Sequence, residues 1–362
     1  MNKSRILLIG AGRCGNKIVD EMISYDPTYS GLFINTTKTD LSDLENLTKR
    51  NVFVIPNASG TGKNRSLAKE YLREERGKIQ EIMEGYDQQD TILCIASVDG
   101  GSGSGITPTL IKMIDLLTEG TKKINLLAVF PKMDEGKIAM ENTIEFWKEI
   151  AQLIEDKVLA SIMFVDNNKR KTESEINEKI IEDLDACYSA NGTTDEEDSE
   201  IVNNASGYKI VLNLEDGFET LDDAIEEAIE DSVFVYPAEG IKKAKYLLAL
   251  MSDYDSEYAK QQYSASVFKK FGESEDYNTM ILGGCRIPVE VIQPYNEKLK
   301  EIIKEEREES NRGDSLLAGL DLDILEKDTK RKKKTNTVKI SGKTKKSKKE
   351  KINLLNDPDI WL

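Results

Sequence analysis

The 362-residue chain contains no histidine. That removes imidazole general bases, histidine triads and histidine-held metals. Any hydrolysis has to rest on carboxylates, amides, backbone groups and a hard cation such as magnesium. Cysteine is scarce. Cys14, Cys94, Cys187 and Cys285 are scattered without a Cys-x-x-Cys pair, the pattern of reduced thiols and not of disulfides or zinc ligands. No stretch approaches the roughly 18 to 20 apolar residues of a membrane span, and the opening MNKSRILLIGAG reaches glycine too soon for a signal peptide. A cytoplasmic protein without membrane contact is expected.

What is present is unevenly charged. The formal charge is −16, and 13 basic residues against two acidic ones between Lys327 and Lys351 place +11 there, so the remainder carries −27. An acidic body repels nucleic acid, whereas the basic stretch attracts it or any other acidic surface. Beyond Gly313 the apolar content falls too low to offset chain entropy, so a flexible tail is expected. The last residues, INLLNDPDIWL, are apolar again. A tethered apolar end of this kind reads as a docking peptide or as a segment folding back on its own body.

The first half alternates two patterns. SRILLIG, GLFINTT, NVFVIPN, TILCIASV, KINLLAVFP and LASIMFVD are apolar runs, separated by amphipathic helices expected near 15–25, 66–83, 106–118 and 138–156. Continuous apolar strands between such helices imply an α/β fold with a parallel sheet covered on both faces. After a helix over 172–190 and the acidic turn NGTTDEEDSE, a second α/β unit runs from about 208 to 294, followed by a charged helix.

Three strand-to-helix junctions carry glycine: GAGRCGN (10–16), ASGTGKN (58–64) and DGGSGSG (99–105). Glycine lets backbone N–H groups approach an anion, and the following helix adds unpaired amides and a favourable dipole. Strand ends of parallel sheets are where ligands collect, so the three loops together point to a polyphosphate. Each loop has another reading. Gly10, Gly12 and Gly15 fit the dinucleotide fingerprint of a dehydrogenase, but Asn35-Thr36-Thr37 stands where its acidic residue belongs. ASGTGKN resembles an ATPase P-loop, except that Asn57 replaces the first glycine and Asn64 the magnesium-binding hydroxyl.

DGGSGSG resembles the signature loop of the tubulin/FtsZ superfamily, in its place after the fourth strand, and GRCGNKI is similar to the first loop of tubulins. The likeness covers roughly residues 4–310, and the basic tail is most similar to the tubulin-like filament proteins of bacterial plasmids and phages. It implies a doubly wound nucleotide domain (1–171), a central helix (172–190), a smaller second α/β domain (191–294), a C-terminal helix (295–312) and the tail (313–362). It also implies binding of GTP and GDP with magnesium. Gly12, Arg13, Cys14, Gly15 and Asn16 would line the α and β phosphates and the sugar side. Gly100, Gly101, Ser102, Gly103 and Ser104 would wrap the phosphates, and Gly60, Thr61 and Gly62 would sense the γ-phosphate. Lys63 would add a point charge there, or be a solvated helix-start lysine. Glu135, in FPKMDEGK, would meet the ribose, with Ala139 where the family has arginine. Asn167 and Asn177 match the amides that read guanine, each with a surface-residue alternative, and Glu173 stands where a base-stacking aromatic is usual. Asp99 replaces the first glycine of the signature loop, so either it faces a hydrated magnesium ion or it is a carboxylate turned away from the phosphates.

In this superfamily the polarising carboxylates come from the next subunit. Asp195 and Asp198 reproduce the acidic spacing of that segment, with Thr193 at its asparagine position; a solvated acidic helix start is the other reading. The resemblance implies a GTPase that assembles head to tail into filaments and moves plasmid or phage DNA through a DNA-bound adaptor held by the tail. Direct attraction of DNA to the tail, a non-polymerising nucleotide-binding regulator and a P-loop-like ATPase are the alternatives.

Overall fold

The structure is a computed structural model that describes residues 1–170, 172–189, 194–237, 244–252, 254–274 and 278–317. Residues 1–299 form one compact unit; residues 300–362 form a second, described only through Leu317, where it is helical. The basic stretch 327–351 and the apolar end 352–362 lie outside the described residues.

The chain runs β1 (Ile6–Ala11), α1 (Gly12–Tyr25), β2 (Ser30–Asn35), β3 (Val52–Val54), α2 (Arg65–Glu74), α3 (Arg76–Glu84), β4 (Thr91–Ser97), α4 (Ser102–Leu117), β5 (Lys123–Phe130), α5 (Lys137–Glu155), β6 (Leu159–Asp166) and α6 (Glu173–Ser189). It continues through α7 (Glu196–Asn203), β7 (Gly207–Leu214), α8 (Leu221–Asp231), β8 (Ala244–Met251), α9 (Ser256–Gln262), β9 (Ala265–Glu273), β10 (Asn278–Cys285) and α10 (Gln293–Leu317). All ten strands join one mixed sheet in the order β3-β2-β1-β4-β5-β6-β7-β10-β8-β9. From β3 to β7 every pairing is parallel, β10 is antiparallel to both β7 and β8, and β9 is parallel to β8. The result is a doubly wound parallel half, a central helix and a smaller mixed half, the layout the resemblance implies.

Packing follows the sequence pattern. β1 is buried at all six positions, as a central parallel strand covered on both faces must be. On α6, Ile176, Ile180, Leu184 and Cys187 recur at helical spacing and are all buried, so this helix is wedged against α1 and β7. Three elements differ from expectation, one of them the helix α9, which was not read in the sequence. The helix expected over 66–83 is two, α2 and α3, divided at Glu75. β9 was not expected at all, because ASVFKKFGE is an edge strand whose Val267 is 62% exposed; Lys269 and Lys270 are the kind of charge that guards such an edge. Among the described residues no helix is long and apolar enough to cross a membrane.

Candidate functional site

The sheet order reverses at β1 and β4, with β2 and β3 on one side and β5 and β6 on the other. Loops leaving the strands at such a point diverge and open a crevice at their carboxyl ends. Gly12 begins α1 with φ of 71°, and a Cβ on it would lie 2.7 Å from the Gly103 nitrogen. Only glycine lets the first turns of α1 and α4 meet this closely. A Cβ on Gly101 would lie 2.2 Å from Thr61 Oγ1, so the loop before α2 rests directly on the loop before α4. Hydroxyls finish the junction: Ser102 Oγ is 2.7 Å from Thr36 Oγ1 and 3.4 Å from Thr61 Oγ1.

A cleft of about 690 Å³ opens over this junction. Gly12, Arg13 and Cys14 line it from the first loop, Gly60, Thr61, Gly62 and Lys63 from the second, and Asp99, Gly100, Gly101, Ser102 and Gly103 from the third. Glu135, Asn167 and Asn177 line its other side. Three of the expected residues are instead in the walls. Gly15 packs against the Ile95 carbonyl of β4. Asn16 is a buried strut to β2: its amide donates to Ile34 O at 3.0 Å and its oxygen accepts from Ile34 N at 3.2 Å. Ser104 Oγ donates to the Gly100 carbonyl and accepts from Arg65 Nε at 3.0 Å.

One ammonium ion joins three loops across the cleft. Lys63 Nζ is 3.6 Å from Asp99 Oδ2 and 3.3 Å from Glu135 Oε2, while Asp99 Oδ1 accepts from Ser97 Oγ. Burial, reinforced by the Asp99 charge, pushes the Cys14 thiol up to about 12, so it lines the cleft as a neutral group. Asn64 caps α2 by accepting from Leu67 N at 3.1 Å, which accounts for an amide where a P-loop would carry a hydroxyl. Asn177 is buried, and its amide is bonded to the Glu21 carboxylate. Glu173 stands at the cleft with its side chain 83% exposed, and none of the described residues lining the cleft is aromatic.

Several contributors carried no motif. Thr37 and Asp40 also line the cleft; their place just after β2 on the same rim was the available signal. Arg65 is 3% exposed and holds Ser104 O at 3.0 Å and Glu149 Oε1 at 3.0 Å. Asn168 bonds Met133 N at 2.9 Å, tying the loops after β5 and β6 together. Neither residue has a sequence signal.

Asp195 and Asp198 do not line the cleft. α6 starts beside it and carries the chain about 18 Å away to Asp185, which accepts from Lys3 Nζ at 2.6 Å and Tyr29 OH at 2.9 Å near the starts of β1 and β2. α7 lies beyond. Its Glu200 is 3.9 Å from Arg5, and Asn204 just after it donates to Thr91 Oγ1 at 3.3 Å, both at strand starts. Asp195 caps α7 in position but makes no side-chain cap bond and is exposed. Asp198 is 17% exposed and pairs with Lys270 Nζ at 3.1 Å.

The donor set fits a phosphate ligand carrying its own cation. Among the described residues no three or more acidic or thiol groups gather to hold a metal ion. The Asp99 carboxylate beside glycine amides and the open space at Gly62 and Gly100 suits magnesium, which keeps waters and takes its remaining ligands from phosphates.

Residues 5–175 match the Tubulin/FtsZ family, GTPase domain. The tubulin-like protein TubZ of Clostridium botulinum C phage is 26% identical over 322 residues, covering 87% of this chain and 88% of its own. A C-terminal tail truncated TubZ of Clostridium botulinum phage c-st superposes with a TM-score of 0.76 at 26% identity, covering 84% of this chain and 100% of the other. A GTPγS-form protofilament of Bacillus thuringiensis serovar israelensis TubZ gives 0.70 at 17% identity, with 86% and 94% covered. Residues 5–175 thus match a GTPase domain of the tubulin/FtsZ family, within a chain whose fold is tubulin-like.

Proposed function

We propose that this chain binds GTP in the cleft at the β1/β4 switch point, hydrolyses it to GDP and phosphate between neighbouring copies, and assembles head to tail into filaments. The observation that carries this is the placement of the glycine cleft and the two aspartates at opposite ends of α6. A cleft rich in amides binds a triphosphate, and on this reading the carboxylates that polarise water are not its own Asp40, Asp99, Glu135 or Glu173. Stacking copies head to tail brings the Asp195 and Asp198 end of one onto the cleft of the next, and turnover then depends on assembly.

Each wall has a task. Gly12, Arg13 and Cys14 of the first loop and Gly100, Gly101, Ser102 and Gly103 of the signature loop hold phosphate oxygens with backbone N–H and Ser102 hydroxyl groups, and Gly15, Asn16 and Ser104 shape the walls behind them. Gly60, Thr61, Gly62 and Lys63 read the γ-phosphate. Glu135 accepts from ribose hydroxyls, and Asn167 and Asn177 address the purine edge. Magnesium, when bound, neutralises phosphate charge, and Asp99 would hold it through water. Asp195 and Asp198 orient the attacking water and accept its proton. On this reading residues 1–171 are the nucleotide domain and 191–294 the second domain.

The basic tail adds a carrier role: it would engage a DNA-bound adaptor and thereby segregate plasmid or phage DNA in the cytoplasm. The −27 carried outside residues 327–351 supports an indirect contact, because that body repels DNA. The test is electron microscopy and phosphate release with purified protein, magnesium and GTP or ATP. Filaments and turnover with GTP alone support the proposal. Turnover without any assembly, or equal use of ATP, overturns it.

A further inference from the structure

Glycine amides bind phosphate only while they point at it, and glycine is the residue least able to hold its own direction. Something behind the signature loop must fix it. Asn142, in the second turn of α5, is buried at 7% exposure. Its Nδ2 donates to Asp99 O at 2.8 Å and Lys63 O at 2.9 Å, and reaches Gly100 O at 3.3 Å. Three carbonyls from two loops therefore converge on one side-chain amide.

A trans peptide unit carries its C=O and the following N–H on opposite sides. With the Asp99 and Gly100 carbonyls turned back to Asn142, the Gly100 and Gly101 N–H groups are turned the other way, toward the cleft both glycines line. Neither N–H is used in a backbone turn or cap bond among the described residues. The task suits an amide: it is neutral and offers two hydrogens, whereas a carboxylate offers none and a hydroxyl only one.

We propose that Asn142 is a positioning residue that aims the Gly100 and Gly101 amides at a bound polyphosphate and fastens the Lys63 loop to the same frame. This rests on the reading of the cleft as the GTP site. Asn142 is not among the residues lining the cleft, so its contribution belongs to the phosphate part of affinity and not to the base part.

Competition against a fluorescent guanine nucleotide, with tripolyphosphate, GTP and guanosine as separate probes, tests it on the full chain. Asn142→Ala is expected to weaken tripolyphosphate and GTP roughly ten-fold, the loss of about 1.4 kcal/mol. Asn142→Asp should weaken them further, and guanosine should compete as it does on the parent protein. Unchanged tripolyphosphate affinity, or equal loss of guanosine, overturns the proposal. Should both variants lose their circular dichroism, Asn142→Ser keeps one donor and is expected to weaken tripolyphosphate and GTP while leaving guanosine unchanged. Hydrogen exchange on the parent is independent of any variant: the Gly100 and Gly101 amides must gain protection with tripolyphosphate, and no gain overturns the assignment. A parent that binds none of the three probes shows a different failure, that of the GTP reading itself.

Discussion

Lys63 Nζ lies 3.3 Å from Glu135 Oε2, and the same ammonium is 3.6 Å from Asp99 Oδ2. Lys63 reaches there from a backbone φ of 64°, a left-handed conformation that costs a side-chain-bearing residue about 1 kcal/mol. Lys63 and Glu135 are half-exposed, and the pairs contribute only about 0.5 kcal/mol to folding. An awkward conformation returned for so little stability suits a residue that acts on a ligand. Lys63→Met should therefore leave the thermal midpoint nearly unchanged and weaken GTP roughly ten-fold, with a smaller effect on GDP. Calorimetric titration with both nucleotides checks this. Equal losses would remove Lys63 from γ-phosphate recognition.

Asp195 and Asp198 share one helix start but differ in surroundings. Asp195 is exposed, whereas Asp198 is held at 3.1 Å by Lys270. If both serve the neighbouring copy's cleft, substituting either by alanine should leave filaments forming with GTP while phosphate release falls about 100-fold. Lys270→Ala should release Asp198 and slow turnover more mildly, without changing GTP affinity in the unassembled protein. Sedimentation and phosphate release, run on the same samples, separate assembly from hydrolysis. Parent-like turnover in the Asp195→Ala, Asp198→Ala double variant would take the pair out of the mechanism.

The parallel half was legible because each buried strand is a continuous apolar run: TILCIASV became β4 and LASIMFVD became β6. The glycine loops were legible for a related reason, since only close backbone approach calls for so many glycines at a strand end. What escaped was long-range. Asn142 and Arg65 sit on ordinary-looking helices and matter only through partners far away in sequence, Ser104 for Arg65 and Asp99 for Asn142. β9 escaped because its alternation is blurred by Lys269 and Lys270. The split at Glu75 is marked by no proline, and Gly77 lies inside the second helix.

Stability should fall as pH rises toward neutrality, because of Asp183. This carboxyl is 2% exposed on the central helix, 3.5 Å from Lys179 Nζ. Burial outweighs Lys179 and pushes it up to about 7 from 3.8. Its contribution is therefore fully present below the unfolded value near 4 and is lost as pH rises through the folded value near 7. Asp183→Asn cannot ionise. Melting curves across that range should show a flatter pH dependence for the variant and a higher midpoint than the parent above pH ~7. A parent that is no less stable at the upper end would contradict the assignment.

Cys14 offers a chemical probe of the cleft. Burial first, and the Asp99 charge second, hold its thiol near 12, so at neutral pH its thiolate fraction is roughly a thousand-fold below that of an ordinary cysteine. Maleimide labelling at Cys14, followed by peptide mass spectrometry, should be slow and should accelerate about ten-fold per pH unit through the range where the fold persists. Asp99→Asn removes one of the charges opposing the thiolate and should speed labelling several-fold. GTP should protect Cys14 because that side chain and the glycines proposed to face phosphate line the same cavity. Labelling that is indifferent to saturating GTP would mean that the nucleotide binds elsewhere, and the proposed roles of all three glycine loops would fall with it.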